Sequence, residues 1–172
     1  MFTEFGSKVD LWTTFNEPLS FVSAGYATGM SAPGFTNSTT NAYVVSHNVL
    51  VSHGRAVQRF RELKKSSAIH DKARIGIVLN AEMAYPLNAS DASDVAAAER
   101  KMQFELGWFL SPIRDVGIDM SRAPEGARLS SKNDLDEYNC KWFTGYPVGY
   151  LDNIKWMHAH NPKADILLTE NG

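Results

Sequence analysis

The chain has 172 residues, a single cysteine, and 19 acidic against 17 basic side chains, for a net charge of −2. So even a balance gives no electrostatic basis for binding nucleic acid or an anionic membrane surface. No apolar run approaches the ~20 residues that cross a bilayer, and the lone Cys140 excludes an internal disulfide.

Residues 1–8 read as the end of a helix and a turn, with Gly6 available for a left-handed cap. Met1-Phe2-Thr3-Glu4-Phe5 has the marks of neither a signal peptide nor a transit peptide. Leu11-Trp12-Thr13-Thr14-Phe15 is rich in β-branched and aromatic residues and predicts a buried strand. That strand stops on Asn16-Glu17-Pro18, because proline cannot donate to a ladder. A carboxylate at the exit of a buried strand is costly unless paired, hydrogen-bonded or neutralised, which marks Glu17 as a candidate for chemistry.

From Leu19 to Thr40 the composition turns to Gly, Ser, Pro, Thr and Asn and reads as a long βα-loop. A helix follows to about Lys65, capped by Thr40 or Asn41, with Val45, Val49, Ala56, Phe60 and Leu63 as its apolar stripe. His47 and His53 lie six apart, which is not the i, i+4 spacing of a metal-binding helix; both read as helix histidines facing sheet or loop. After a polar link, Ile75–Leu79 predicts a second buried strand that ends at Asn80. Asp91 opens a helix in which Val95, Ala98, Met102, Leu106 and Phe109 recur at helical spacing, closed by Ser111-Pro112.

Residues 113–140 lack periodicity. Trp142 to Gly149 reads as an aromatic, turn-rich loop before a short helix carrying Leu151, Ile154 and Met157. His158 and His160 sit at that helix's end, where a polar or cationic last turn explains them better than a metal. Ile166 to Glu170 predicts a third strand, which again ends on a glutamate. Two strand-end carboxylates suggest a working pair: if both point into one pocket at the C-terminal ends of parallel strands, the economical chemistry is glycoside hydrolysis, and otherwise they are solvated strand ends.

Thr14-Phe15-Asn16-Glu17-Pro18 and Thr169-Glu170-Asn171-Gly172 resemble the two signature segments of the family 1 glycoside hydrolases, the β-glucosidase and lactase-like retaining enzymes. Between them, His47-Asn48 resembles the start of that family's fourth barrel helix, and Arg74–Asn80 its fifth strand. Ala97–Arg100 and Leu106–Phe109 resemble its fifth helix, and Tyr146–Gly149 leads into its seventh. The resemblance implies an α/β fold, a (β/α)8 TIM barrel. At 172 residues, against roughly 250 for a complete barrel, the expectation is one partial barrel domain over 1–172. It would have about three strands with their helices and lack the first strands, the sixth and the eighth. The sixth strand belongs in 113–140, where the family's Asn-Tyr-Tyr-like segment is missing, as if deleted.

The resemblance also implies roles. Glu17 is the acid/base and Glu170 the nucleophile, while Asn16 donates to the sugar 2-hydroxyl. Asn80 lies near the mouth of the sugar site, or else only satisfies loose backbone groups. Two carboxylates a few ångströms apart cannot both ionise cheaply, so one is held protonated to act as the acid. If the barrel placement is kept, Glu17 and Glu170 should face each other about 5–5.5 Å apart, the retaining spacing. The expected ligand is a β-glucoside or a related small glycoside, with no cofactor, metal, nucleic acid or membrane. The alternative is a truncated or degenerate glycosidase-like chain, inactive or weakly sugar-binding by itself. The sequons at Asn37 and Asn88 fit a secreted parent protein.

Overall fold

The structure, a computed structural model, describes residues 1–36, 38–113 and 147–169. It divides into two compact units, Met1–Asn80 and Ala81–Gly172.

In the first unit, helix α1 (Phe2–Phe5) leads into strand β1 (Leu11–Asn16). Helix α2 (Pro18–Tyr26) follows at once, then the long α3 (Asn41–Lys65) and strand β2 (Arg74–Val78). The two strands pair in parallel, with Leu11 opposite Arg74 and Trp12 opposite Ile75, and the register shifts between Thr13 and Asn16. A parallel pair needs a long crossover, and α2 and α3 supply it. Helix α2 corrects the expectation of a loop from Leu19 onward. Pro18 stands at the first helical position, where its fixed φ suits the helix and its missing N–H costs nothing. Val22 and Gly25 are buried, and a Cβ on Gly25 would meet the Ala32 carbonyl oxygen at 2.8 Å. The loop is thus confined to the residues after Tyr26, where Tyr26 and Phe35 stack at 5.8 Å.

Helix α3 keeps its expected bounds, but its cap differs. Thr40 makes no side-chain cap bond; Ser38 Oγ accepts from the Asn41 N–H at 3.0 Å. Its buried face is Ser46, Val49, His53, Phe60 and Leu63, so a serine and a histidine share the stripe with the apolar residues. Val45 and Ala56 are half-buried. The core gathers Phe60, Leu63, Ile69 and Ala73, with Phe2, Trp12, Ala68 and Ile75 packed against it. Phe2 makes edge contacts with Trp12 at 5.0 Å and Phe60 at 5.6 Å, which anchors the short α1. Gly6 is not a left-handed cap, since its φ is −61°. Glycine is needed for close approach: a Cβ there would lie 2.6 Å from the Ala68 carbonyl oxygen.

In the second unit, Asp91 caps helix α4 (Ala92–Met102) by accepting from the Ser93 N–H at 2.7 Å. A π turn (Gln103–Gly107) follows, and α5 (Trp108–Ile113) continues the chain. Met102, Leu106 and Phe109 are core, as their spacing predicts, whereas Val95 is exposed. The π turn inserts one residue into the repeat, which brings Trp108 into the buried set and stacks it on Phe109 at 5.8 Å. Pro112 lies inside α5 instead of ending it.

Helix α6 (Pro147–His160) begins earlier than expected, and its Leu151 is exposed while Ile154 and Met157 are half-buried. His160 forms a 2.8 Å hydrogen bond between Nδ1 and the Trp156 carbonyl and stacks on that indole, in keeping with a polar helix end. The expected third strand is not formed over its described residues. Ile166–Thr169 are irregular, with Leu167 and Leu168 exposed. A strand is held by its neighbours' ladder, and here no described strand pairs with it. Among the described residues the sheet has two strands, where about three were expected. The apparent deletion and the absent sixth strand fall largely within 114–146, outside the described residues.

Candidate active site

Parallel strands present their C-terminal ends on one side, and β1 and β2 bring Asn16-Glu17 and Asn80 there. Glu17 follows the last residue of β1, and its N–H still donates to the Val78 carbonyl at 3.0 Å. Its backbone then bends into the left-handed region, φ 45° and ψ 62°. For a residue with a Cβ this costs about 1–2 kcal/mol. Such strain persists where the surroundings over-determine it, and it gathers at functional sites. The bend converts a strand into a helix within one residue, because Pro18 already belongs to α2.

The Glu17 side chain does not cap that helix. Its Oε2 accepts a hydrogen bond from Ser20 Oγ at 2.9 Å. Ser20 Oγ in turn accepts from Asn80 Nδ2 at 3.0 Å. The ends of both strands and the first turn of α2 are therefore tied through one hydroxyl. Asn80 Oδ1 is buried without a partner among the described residues. Asn16 is exposed beside Glu17, and no side-chain hydrogen bond engages it among the described residues. Ser20 was not singled out from the sequence. It shares a helix face with Glu17 at i, i+3, a signal hidden while the segment reads as a loop.

Beneath these residues Thr14 Oγ1 lies 2.8 Å from His53 Nδ1 and donates to the Gly76 carbonyl at 3.3 Å. The arrangement that satisfies both contacts has Nδ1–H of His53 donating to the hydroxyl. Burial, and secondarily the charge of Arg61, hold the His53 imidazole below its ordinary pKa. His53 faces the sheet, as one of the two expected orientations had it, and His47 is exposed. Glu170, like Asn171 and Gly172, lies outside the described residues, so the expected spacing between the two glutamates has no measured counterpart. Among the described residues no three acidic, histidine or cysteine side chains are grouped to hold a metal ion, and no helix is long and apolar enough to cross a membrane.

Residues 1–118 match the profile of glycosyl hydrolase family 1. The chain is 35% identical to Beta-glucosidase 11 of Oryza sativa subsp. japonica, a match that covers 93% of this chain and 33% of that protein. It is 39% identical over 112 residues to the lactase/phlorizin hydrolase of Rattus norvegicus, covering 65% of this chain and 6% of that one. Among solved structures it resembles the β-glucosidase of Trichoderma harzianum, with a TM-score of 0.60 and 44% identity, over 66% of this chain and 23% of that one. The chain thus spans about a third of the length of its rice relative. Its fold is a part of the (β/α)8 barrel, with two barrel strands and no closure among the described residues. The chain belongs to glycosyl hydrolase family 1.

Proposed function

We propose that this chain carries catalytic groups for hydrolysis of β-glycosidic bonds with retention. Glu17 protonates the leaving oxygen and later takes the proton of the attacking water; Glu170 attacks the anomeric carbon and forms the glycosyl ester. Asn16 donates to the sugar 2-hydroxyl, a bond that strengthens in the transition state. Asn80 stands at the mouth of the same site. The substrate is a β-glucoside or a related small glycoside, and the chemistry asks for no cofactor. The observation that carries this reading is Glu17 itself. It is a carboxylate held in a left-handed bend at the end of a barrel strand, gripped by Ser20, with an unengaged asparagine beside it.

A second reading concerns the 172-residue chain by itself: it is inactive, or binds sugar only weakly. The two-stranded sheet and the exposed Leu167 and Leu168 favour it. Contacts to remote hydroxyls help distort the reacting ring, and the two strands among the described residues supply few of them. Assays of the purified chain on an aryl β-glucoside separate these outcomes. Turnover lost in both Glu17→Gln and Glu170→Gln supports the catalytic roles, and turnover retained in either variant overturns that residue's role. No turnover from the wild type, with saturable sugar binding, supports the second reading. The two sequons further support passage of the parent protein through a secretory route. Asn88 is exposed, with its Oδ1 accepting from the Ser90 N–H at 3.0 Å.

A further inference from the structure

We propose that Ser20 is a positioning residue for Glu17, a hydroxyl that pins one carboxyl oxygen and leaves the other for the substrate. This rests on the reading of Glu17 as the acid/base. An amide nitrogen donates and does not accept, so at the 3.0 Å contact with Asn80 Nδ2 the Ser20 oxygen is the acceptor. Its own proton is then directed to Glu17 Oε2 at 2.9 Å. The three side chains form a chain of one polarity, from Asn80 through Ser20 to Glu17. With Oε2 accepting the hydrogen bond from Ser20, the catalytic proton resides on Oε1, the oxygen free to meet the leaving group.

The backbone supports this role. The Glu17 N–H is held by the Val78 carbonyl at 3.0 Å, and its carbonyl accepts from the Ser20 N–H at 3.0 Å. The carboxyl group therefore swings only about its own side-chain torsions, and Ser20 restrains those. Among the described residues no cation is ion-paired with Glu17, so the Ser20 hydroxyl is the group that orients it. Asn80 acts at one remove: it fixes the direction of the Ser20 hydroxyl and links the ends of β1 and β2 through it. A serine serving only as a good helix-start residue would need neither contact.

The test uses the isotopically labelled 172-residue chain and side-chain NMR across the titration of its carboxyl groups. In the wild type the Asn80 side-chain amide protons should shift in step with the Glu17 carboxyl carbon. That step should vanish in Glu17→Gln, which identifies its source. It should be lost in Ser20→Ala and return in Ser20→Thr, which keeps the hydroxyl. An Asn80 amide indifferent to Glu17 in the wild type, or coupling that survives Ser20→Ala, overturns the positioning role and leaves the acid/base reading standing. Measurable wild-type hydrolysis of an aryl β-glucoside that persists unchanged in Glu17→Gln removes the acid/base reading, and the positioning role with it, whatever the resonances show.

Discussion

Thr14 and His53 are 39 positions apart in the chain, yet the Thr14 hydroxyl lies 2.8 Å from Nδ1 of the buried imidazole. The same hydroxyl reaches the Gly76 carbonyl of β2 at 3.3 Å. One small polar group thus connects β1, β2 and α3, three positions before the Glu17 bend. Thr14→Val keeps the shape but leaves the His53 donor buried and unpaired, which costs about 1–3 kcal/mol. Urea unfolding of the variant should show that loss, and an unchanged midpoint would refute the pairing.

The environment of His53 makes a pH prediction. Its pKa is lowered in the folded chain, chiefly by burial, from an ordinary value of 6.5. The unfolded chain therefore takes up the proton more readily. The stability that goes with neutral His53 is complete above about 6.5 and is lost as pH falls through that value towards the lower native pKa. Unfolding midpoints should drop between neutral and mildly acid pH, and His53→Asn should flatten the drop. A variant with the wild-type pH dependence would assign the effect to other groups.

Close approach at Gly6 is equally open to test. A methyl group there would press on the Phe2 and Ala68 carbonyl oxygens and on Ile69 Cγ1. Two of these are backbone atoms that cannot swing aside. Overpacking of this kind costs typically about 1–3 kcal/mol. Gly6→Ala should lower the melting temperature, while Gly54→Ala, where a Cβ meets nothing within 4 Å, should not.

Ser46 gives the opposite sign. It is buried on α3 at 1% exposure, and its hydroxyl has no hydrogen-bond partner among the described residues. An unsatisfied buried hydroxyl costs on the order of 1–3 kcal/mol, and alanine is the better helix former. Ser46→Ala should therefore leave stability unchanged or raise it. A clear fall in the unfolding midpoint would mean that the hydroxyl is in fact engaged.

The activity expected of the isolated chain follows from its sheet. With two strands described, the purified 172-residue chain should turn over an aryl β-glucoside very slowly or not at all. Vigorous turnover that disappears in Glu170→Gln would show that the catalytic groups suffice without further barrel.

The sequence determined by itself the elements whose signals are local. The apolar, β-branched runs at Leu11–Phe15 and Ile75–Leu79 marked two strands, but as buried ones, whereas both are half-buried to exposed in the structure. The 3-and-4 spacing from Met102 to Phe109 marked a buried helix face. Asp91 read as a helix start because a cap is made with residues two or three positions away. The strand-end motif pointed to Asn16 and Glu17. What depended on distant partners was not legible. Tertiary packing decided that Pro18–Tyr26 is a helix, because the burial of Val22 and the fit of Gly25 against Ala32 need parts of the chain that composition does not weigh. It placed His53 under Thr14 and Ser20 between Glu17 and Asn80, pairs that lie 39 and 60 positions apart. Among the described residues Ile166–Thr169 form no strand, although they are of the right types. A strand exists only where a neighbour completes its hydrogen bonds, and no run of side chains can supply that neighbour.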